Sequence, residues 1–313
     1  MFINTALGAL GLALLLLVLA QAMNRLMPNL AARVLRWPLR KWSGVTAASI
    51  AVQGRTTSYL HCGKGDVLVL LHNYASGKDR LIEVARHLKD SMRVLIPDMP
   101  GHGEGDKDPQ ADYSVAAQVQ RVRDFVQAHG LGRVHLGGHG MGGSVAAWYA
   151  ASYPDEVASI WLLSASATQD AWQAPWVKAY DATGQCPLLV QTIAQQQAKL
   201  EFYTGESTYV PYCVLHEWAA AGARDFDLHH TILKTLRQTP PLEQHFSGLL
   251  TPALIVGGEL DRIVPPASVK TLAKVFTRAQ TIVVQDMGHG PHIEAPAQTA
   301  QDYLAFRAKL AGG

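Results

Sequence analysis

From Gly44 onward, apolar runs of strand length alternate with amphipathic segments of helical length. The runs are continuously apolar, as expected of strands that helices cover on both faces. They include DVLVLLH, RVLIPD, RVHLGG, VASIWLLSA, PALIVGG and QTIVVQD. The alternation predicts an α/β fold with a mostly parallel sheet. Ahead of it, TAASIAV and TTSYLHC, joined by QGR, predict a short antiparallel pair.

The alternation stops between about residues 168 and 249, where apolar residues recur only at helical spacing. Helices inserted between two strands of a parallel sheet predict a cap over the carboxyl ends of the strands, where ligands bind in such sheets. The Leu, Val, Phe and Trp of this segment suit an apolar ligand, although most of them must build the cap's own core. We therefore divide the chain into an N-terminal segment (1–43), a core (44–167 and 250–313) and a helical cap (168–249).

The N-terminal segment predicts a membrane anchor. Residues 1–24 carry no charge, and residues 6–23 contain one polar side chain, Gln21. About 18 apolar residues is near the lower limit for a helix that crosses a bilayer. A cleaved signal peptide is the alternative, because AQA resembles a cleavage site, but no Lys or Arg precedes the apolar stretch. We expect an uncleaved, single-pass anchor.

Basic residues and tryptophans follow this stretch in NRLMPNLAARVLRWPLRKW. The pattern predicts an amphipathic juxtamembrane helix that lies at the lipid headgroups and is attracted to anionic lipid. A solvated linker helix is the alternative. The positive-inside rule would place this helix in the cytoplasm, but binding to a lipid surface explains the same charges, so the side of the membrane stays open.

Composition excludes several classes of protein. Among the 313 residues, 48% are hydrophobic and 17% charged, which suits a folded domain with a sizeable core. The net charge of +2 gives no electrostatic argument for a nucleic-acid partner. Cys62, Cys186 and Cys213 form no disulfide framework, and whether Cys186 and Cys213 pair is left open. The histidines show no metal-binding spacing, so we expect neither a metal nor another cofactor.

Candidate chemistry centres on HLGGHGMGGS, which follows a predicted strand and opens a predicted helix. This is the position of a nucleophile elbow, G-x-Nu-x-G, and its central residue is Gly140. Asp261 follows a late strand and His289 precedes the last helix, which gives the chain order nucleophile, acid, base. LLHNYASGKD follows the third strand, so backbone N–H groups of Tyr74 and Met141 are the expected oxyanion-hole donors.

Four motifs resemble those of α/β-hydrolase lipases and esterases: PDMPGHGEGD, GGHGMGG, GGELDRIVP and GHGPHIEAP. With the N-terminal anchor and TGQCPLLV, the chain is similar to bacterial inner-membrane lipases and phospholipases A of the PlaF type. The resemblance covers about residues 49–310. It implies an α/β-hydrolase fold, fatty-acyl ester substrates, a membrane-tethered domain on the periplasmic side and a dimer-prone N-terminal helix. By the same resemblance, Asp261 orients His289 and His289 is the general base.

The sequence departs from this pattern at two further positions. Where the family has His-Gly in the oxyanion loop, this chain has His72-Asn73, and Gly105 replaces a usual serine. Because Asn tolerates positive φ, we expect Asn73 to preserve the turn. We also expect His72, Asn73 and His139 to support the pocket.

A glycine at the elbow removes the attacking oxygen and relieves backbone strain of about 1–3 kcal/mol. Three interpretations remain open. The chain is a serine hydrolase inactivated by a Ser→Gly change, engineered or not, in which Gly140→Ser restores ester hydrolysis. Alternatively, it is a natural pseudoenzyme that binds fatty acid, lipid or a protein partner under the cap, or His289 activates water directly. Ser144, one turn further on, is expected to point away from His289.

Overall fold

The computed structural model describes residues 2–205 and 209–312, with side chains from residue 10 onward except that of residue 311. Within these residues, eight strands form one sheet. They are β1 (Thr46–Val52), β2 (Arg55–Cys62), β3 (Val67–Leu71), β4 (Arg93–Pro97), β5 (Val134–His139), β6 (Val157–Leu163), β7 (Ala253–Gly258) and β8 (Ala279–Val284). Their order is β1-β2-β4-β3-β5-β6-β7-β8. β2 pairs antiparallel with β1 on one side and with β4 on the other. Every other pair is parallel, as the alternating pattern predicts.

Helices cover both faces of the sheet. Outside the region between β6 and β7 they are α1 (Phe2–Leu26), α2 (Pro28–Ser43), α3 (Ile82–Arg86), α4 (Val115–Ala128), α5 (Met141–Ser152), α12 (Ala267–Val275), α13 (Pro291–Glu294) and α14 (Pro296–Ala311). Side chains alternate along each strand, so one strand feeds two cores. Val69 and Leu71 pack with α4, α5 and α12, whereas Leu68 and Leu70 pack with α3 and α14.

A helical cap lies between β6 and β7. It consists of α6 (Gln169–Trp172), α7 (Pro175–Thr183), α8 (Ile193–Thr204), α9 (Tyr212–Arg224), α10 (Phe226–Arg237) and α11 (Leu242–His245). Residues 206–208 of the predicted cap lie outside the described residues. The Trp176 indole donates to the backbone carbonyl of Ile263 at 3.0 Å and so fixes the cap to the loop after β7. The three cysteines are free thiols, so Cys186 and Cys213 do not pair.

The two N-terminal helices are bent at their junction and dock on the cap. The bend between residues 10–26 and 28–43 is 119°. In the part of the chain with described side chains, no single helix is long and apolar enough to cross a membrane, although the bent pair passes by length and composition. The start of the predicted anchor, Met1 and the side chains of residues 2–9, lies outside this part.

Two basic side chains of α2 form ion pairs with the cap and the core and so hold α2 against the protein. Arg36 pairs with Glu217 on α9, and Arg40 donates to both carboxylate oxygens of Asp79 at 2.9 and 2.8 Å. These two basic residues therefore pair within the protein, because carboxylates of the cap and core lie within reach, and the attraction of α2 to anionic lipid stays a prediction. The sequence of α2 could not show this, since both partners are far away along the chain.

Candidate active site

Gly140 forms a sharp turn between β5 and α5. Its φ of 53° and ψ of −112° lie in a region that favours glycine. A β-carbon on Gly142 would come within 2.5 Å of the Leu71 carbonyl oxygen, so only glycine allows α5 to approach β3 this closely. Strand, turn and helix therefore form the elbow that the sequence predicts, with no side chain at its centre. Ser144 contacts the hydroxyl of Ser166 at 3.3 Å and makes no hydrogen bond to His289.

Asp261 and His289 form a buried pair next to this turn. The His289 Nδ1 atom lies 2.9 and 3.1 Å from the two carboxylate oxygens of Asp261. Asp261 Oδ1 also accepts from the backbone N–H groups of Ile263 and Val264, each at 2.8 Å. A carboxylate at Nδ1 favours a proton on that nitrogen, which leaves Nε2 as the nitrogen that can accept a hydrogen bond. The structure thus brings together the two residues that the sequence predicts as acid and base.

Two backbone N–H groups converge on one point beside the elbow. Those of Tyr74 and Met141 donate to the same atom, Asn73 Oδ1, at 2.7 and 2.9 Å. Two convergent donors of this kind form an oxyanion hole when the atom they bind belongs to a substrate. In this structure the atom that they bind is the side-chain oxygen of Asn73, a residue of the protein itself.

The other end of the Asn73 amide faces the base. Its Nδ2 atom donates to the hydroxyl of Tyr203 at 2.9 Å and lies 3.0 Å from His289 Nε2. The oxygen accepts two hydrogen bonds and the nitrogen donates two, so the amide's capacity is filled. Asn73 is 7% exposed. Its carboxamide therefore bridges the two backbone N–H groups and His289 Nε2.

The same amide fills the space of a nucleophile. A β-carbon on Gly140 would overlap the Asn73 side chain and come within 2.7 Å even of its Nδ2 atom. The expectation that Asn73 preserves a turn through positive φ is wrong, because the residue with positive φ in this loop is Ala75, at 47°. Asn73 acts in this site through the contacts of its side chain and not through its backbone conformation. The signal available in the sequence was that Asn73 and Gly140 are both departures from one set of motifs.

His72 and His139 hold the loops around this centre. His72 donates through Nδ1 to the Asn73 carbonyl at 2.8 Å, and its Nε2 accepts from the Met99 backbone N–H at 2.9 Å. His139 Nε2 donates to the His289 carbonyl at 2.8 Å. Burial lowers the pKa of both imidazoles, which keeps them neutral.

Gly105 lies where a β-carbon would come within 2.6 Å of the Met99 carbonyl oxygen, so this loop has no room for the serine of the resembled family.

A narrow cleft lies between this centre and the cap, with an internal volume of about 30 Å³. Asn73, Gly140, Tyr203 and His289 form its polar end. Its other walls are mostly apolar and include Trp172, Trp176, Leu188, Leu233, Leu236, Ile263 and Val264. The cleft therefore suits a ligand with an apolar body.

Comparison with known proteins agrees with this geometry. Residues 66–296 match the family described as alpha/beta hydrolase fold. Lipase 1 of Psychrobacter immobilis is 30% identical over 92% of each chain, and Lipase 3 of Moraxella sp. (strain TA144) is 31% identical over 78% of each. The crystal structure of a membrane phospholipase A superposes with a TM-score of 0.88 at 30% identity, covering 97% of this chain and 99% of that one. The chain belongs to the α/β-hydrolase-fold family and is of the lipase and esterase type.

Proposed function

We propose that this chain binds a fatty-acyl ligand beneath its cap and does not hydrolyse it through an acyl-enzyme. The observation that carries the proposal is the Asn73 carboxamide, which accepts from the oxyanion donors, contacts His289 Nε2 and takes the space of a residue-140 side chain. Covalent catalysis needs a nucleophilic atom at this position, and glycine supplies none.

This arrangement favours a natural pseudoenzyme over an isolated Ser→Gly change. An isolated Ser→Gly change would leave a gap in front of His289 and two N–H groups still open to a substrate. Instead, one side chain satisfies all of these groups, and its position is compatible only with glycine at 140. Direct activation of water by His289 is disfavoured as well, because Nε2 already accepts from Asn73 and a water must first displace the amide.

The apolar walls of the cleft support an acyl chain as the ligand. Several cap side chains face it together with Ile263 and Val264, and the relatives of this chain include lipases. A bound fatty acid or lipid would bury apolar surface there. Each Å² of apolar surface removed from water stabilises the complex by about 25 cal/mol. With Asn73 in place, the ligand gains no hydrogen bond from the oxyanion donors.

The N-terminal helices support attachment to a membrane. Leu14 to Leu19 of α1 are each more than half exposed, which is costly in water and favourable in lipid. The similarity to a membrane phospholipase A extends over 97% of the chain. We propose that α1 enters the bilayer and α2 lies near its surface. A periplasmic location and a homodimer through α1 stay predictions.

The test combines mass spectrometry with activity assays on the full chain in detergent. We expect native mass spectra to contain a co-purified fatty acid or lipid. We also expect no labelling by a fluorophosphonate probe and no hydrolysis of p-nitrophenyl butyrate or monoacylglycerol above that of a His289→Ala variant. Hydrolysis that His289→Ala abolishes would overturn the proposal, as would a ligand-free protein that also fails to bind added palmitate.

A further inference from the structure

Two cationic side chains near the cleft have no anionic partner among the residues that the structure describes. Lys199 of α8 is 8% exposed, and Arg80 is half-buried in the short 3₁₀ turn Lys78–Leu81. Neither side chain makes an ion pair or hydrogen bond with a residue that the structure describes. A buried cation without a partner is costly, so its presence calls for an explanation.

Neighbouring basic residues are paired, which makes these two distinct. Lys78 contacts the carboxylates of Asp98 and Glu104. Arg40 contacts Asp79, the residue directly before Arg80. The carboxylates of Asp79, Asp98 and Glu104 thus pair with other cations, and no described carboxylate pairs with Arg80 or Lys199.

Aromatic rings contact both cations, and one of these rings lines the cleft. The Arg80 guanidinium lies 3.5 Å from the centre of the Trp218 ring. Lys199 Nζ lies 5.9 Å from the centre of the Tyr203 ring, and Tyr203 lines the cleft. Burial, and then the charge of Arg80, lower the pKa of Lys199 to about 8. A bound anion would stabilise the charged form of such a group.

Tyr203 adds a hydrogen-bond donor at the same place. Its hydroxyl oxygen accepts from Asn73 Nδ2. Burial raises the pKa of this phenol, so the hydroxyl keeps its proton. Among the described residues that proton has no acceptor, and it is available to a ligand in the cleft.

We propose that Arg80, Lys199 and Tyr203 form an anion subsite for the head of an amphiphile whose acyl chain lies in the cleft. The inference rests on the proposed function and narrows it: the ligand carries a carboxylate or a phosphate and is not a neutral ester. The subsite also lies beside Trp218 on α9, the helix against which α2 docks. An anionic lipid could therefore reach it from the membrane side.

The test measures binding of three probes to the delipidated full chain in detergent by isothermal titration calorimetry. The probes are palmitate, 1-palmitoyl lysophosphatidate and methyl palmitate, which share the acyl chain and differ in the head. We expect at least one anionic probe to bind about tenfold or more tightly than methyl palmitate. Whichever of the two binds better identifies the source of the anion.

Variants separate the subsite from the cleft. Lys199→Met and Arg80→Met should each remove most of the preference for the anion and leave methyl palmitate binding unchanged. Lys178→Met, on the exposed face of α7, is the matched control and should keep the preference. If methyl palmitate binds but the preference is absent or survives both substitutions, the subsite is wrong and the proposed function stands. If no probe binds, both fail.

Discussion

The side chain of Asn73 lies in the space that a side chain at position 140 would need. A β-carbon on Gly140 would come within 2.7 Å of Asn73 Nδ2 and closer still to the rest of the amide. The same amide takes the hydrogen bonds of Tyr74 and Met141 and contacts His289. Glycine at the elbow and asparagine in the oxyanion loop are thus one coupled feature, because a side chain at position 140 requires the Asn73 amide to move.

Gly140→Ser alone is therefore expected to give no ester hydrolase. The serine must adopt the strained elbow backbone, at about 1–3 kcal/mol, and must also push the amide out of its four hydrogen bonds. We expect a lower melting temperature and no labelling by a fluorophosphonate probe. A folded single variant that is labelled stoichiometrically would show that Asn73 moves aside freely.

The double variant Asn73→Gly/Gly140→Ser is expected to gain hydrolysis of short acyl esters. It clears the oxyanion donors and restores a hydroxyl next to His289 Nε2. The measurement is p-nitrophenyl butyrate turnover, compared with each single variant and with the double variant carrying His289→Ala. A double variant no more active than Gly140→Ser would mean that other parts of the site are also incompetent.

Chain order and local pattern were sufficient to predict the elbow, Asp261 and His289. Each follows or precedes an element whose apolar pattern is clear, and the parallel sheet brings their ends together. The role of Asn73 could not be predicted in the same way. It depends on a side-chain contact with Met141, 68 positions away, and on a steric match to a side chain that is absent. It was equally impossible to predict that Lys199 and Arg80 have no carboxylate partner among the described residues, because a sequence does not show which carboxylates lie within reach.

Asn73→Ala is expected to destabilise the fold and open the centre. It leaves the buried N–H groups of Tyr74 and Met141 without their acceptor, which costs about 1–3 kcal/mol for each unsatisfied group unless water enters. Urea unfolding should show the loss, and added palmitate should recover more stability in this variant than in the parent, since a carboxylate can now reach the oxyanion donors. Equal stabilisation by palmitate in both proteins would contradict the assignment of Asn73 as a plug.

The pKa of Lys199 predicts opposite effects of pH on stability and on anion binding. Because its pKa is about 8 when folded and 10.5 in its ordinary state, the unfolded chain binds more protons between these values. Stability of the ligand-free protein should therefore rise with pH across this window, relative to Lys199→Met. Anion affinity should fall over the same range, because the neutral amine no longer attracts the head. Palmitate affinity that is flat from pH 7 to 10 would contradict a charged Lys199 in the subsite.

Deletion of residues 1–43 is expected to move the protein from the membrane fraction to the soluble fraction. The exposed leucines of α1 are lost, and so are the basic residues of α2 that do not pair within the protein. The deletion also uncovers the α9 surface around Cys213, against which Ala31 and Ala32 pack, and leaves Asp79 and Glu217 without Arg40 and Arg36. Ultracentrifugation of cell extracts without detergent is the measurement. Arg36→Ala/Arg40→Ala, which loosens docking but keeps α1, should stay with the membrane, and a full-length protein already in the soluble fraction would show that α1 is not an anchor.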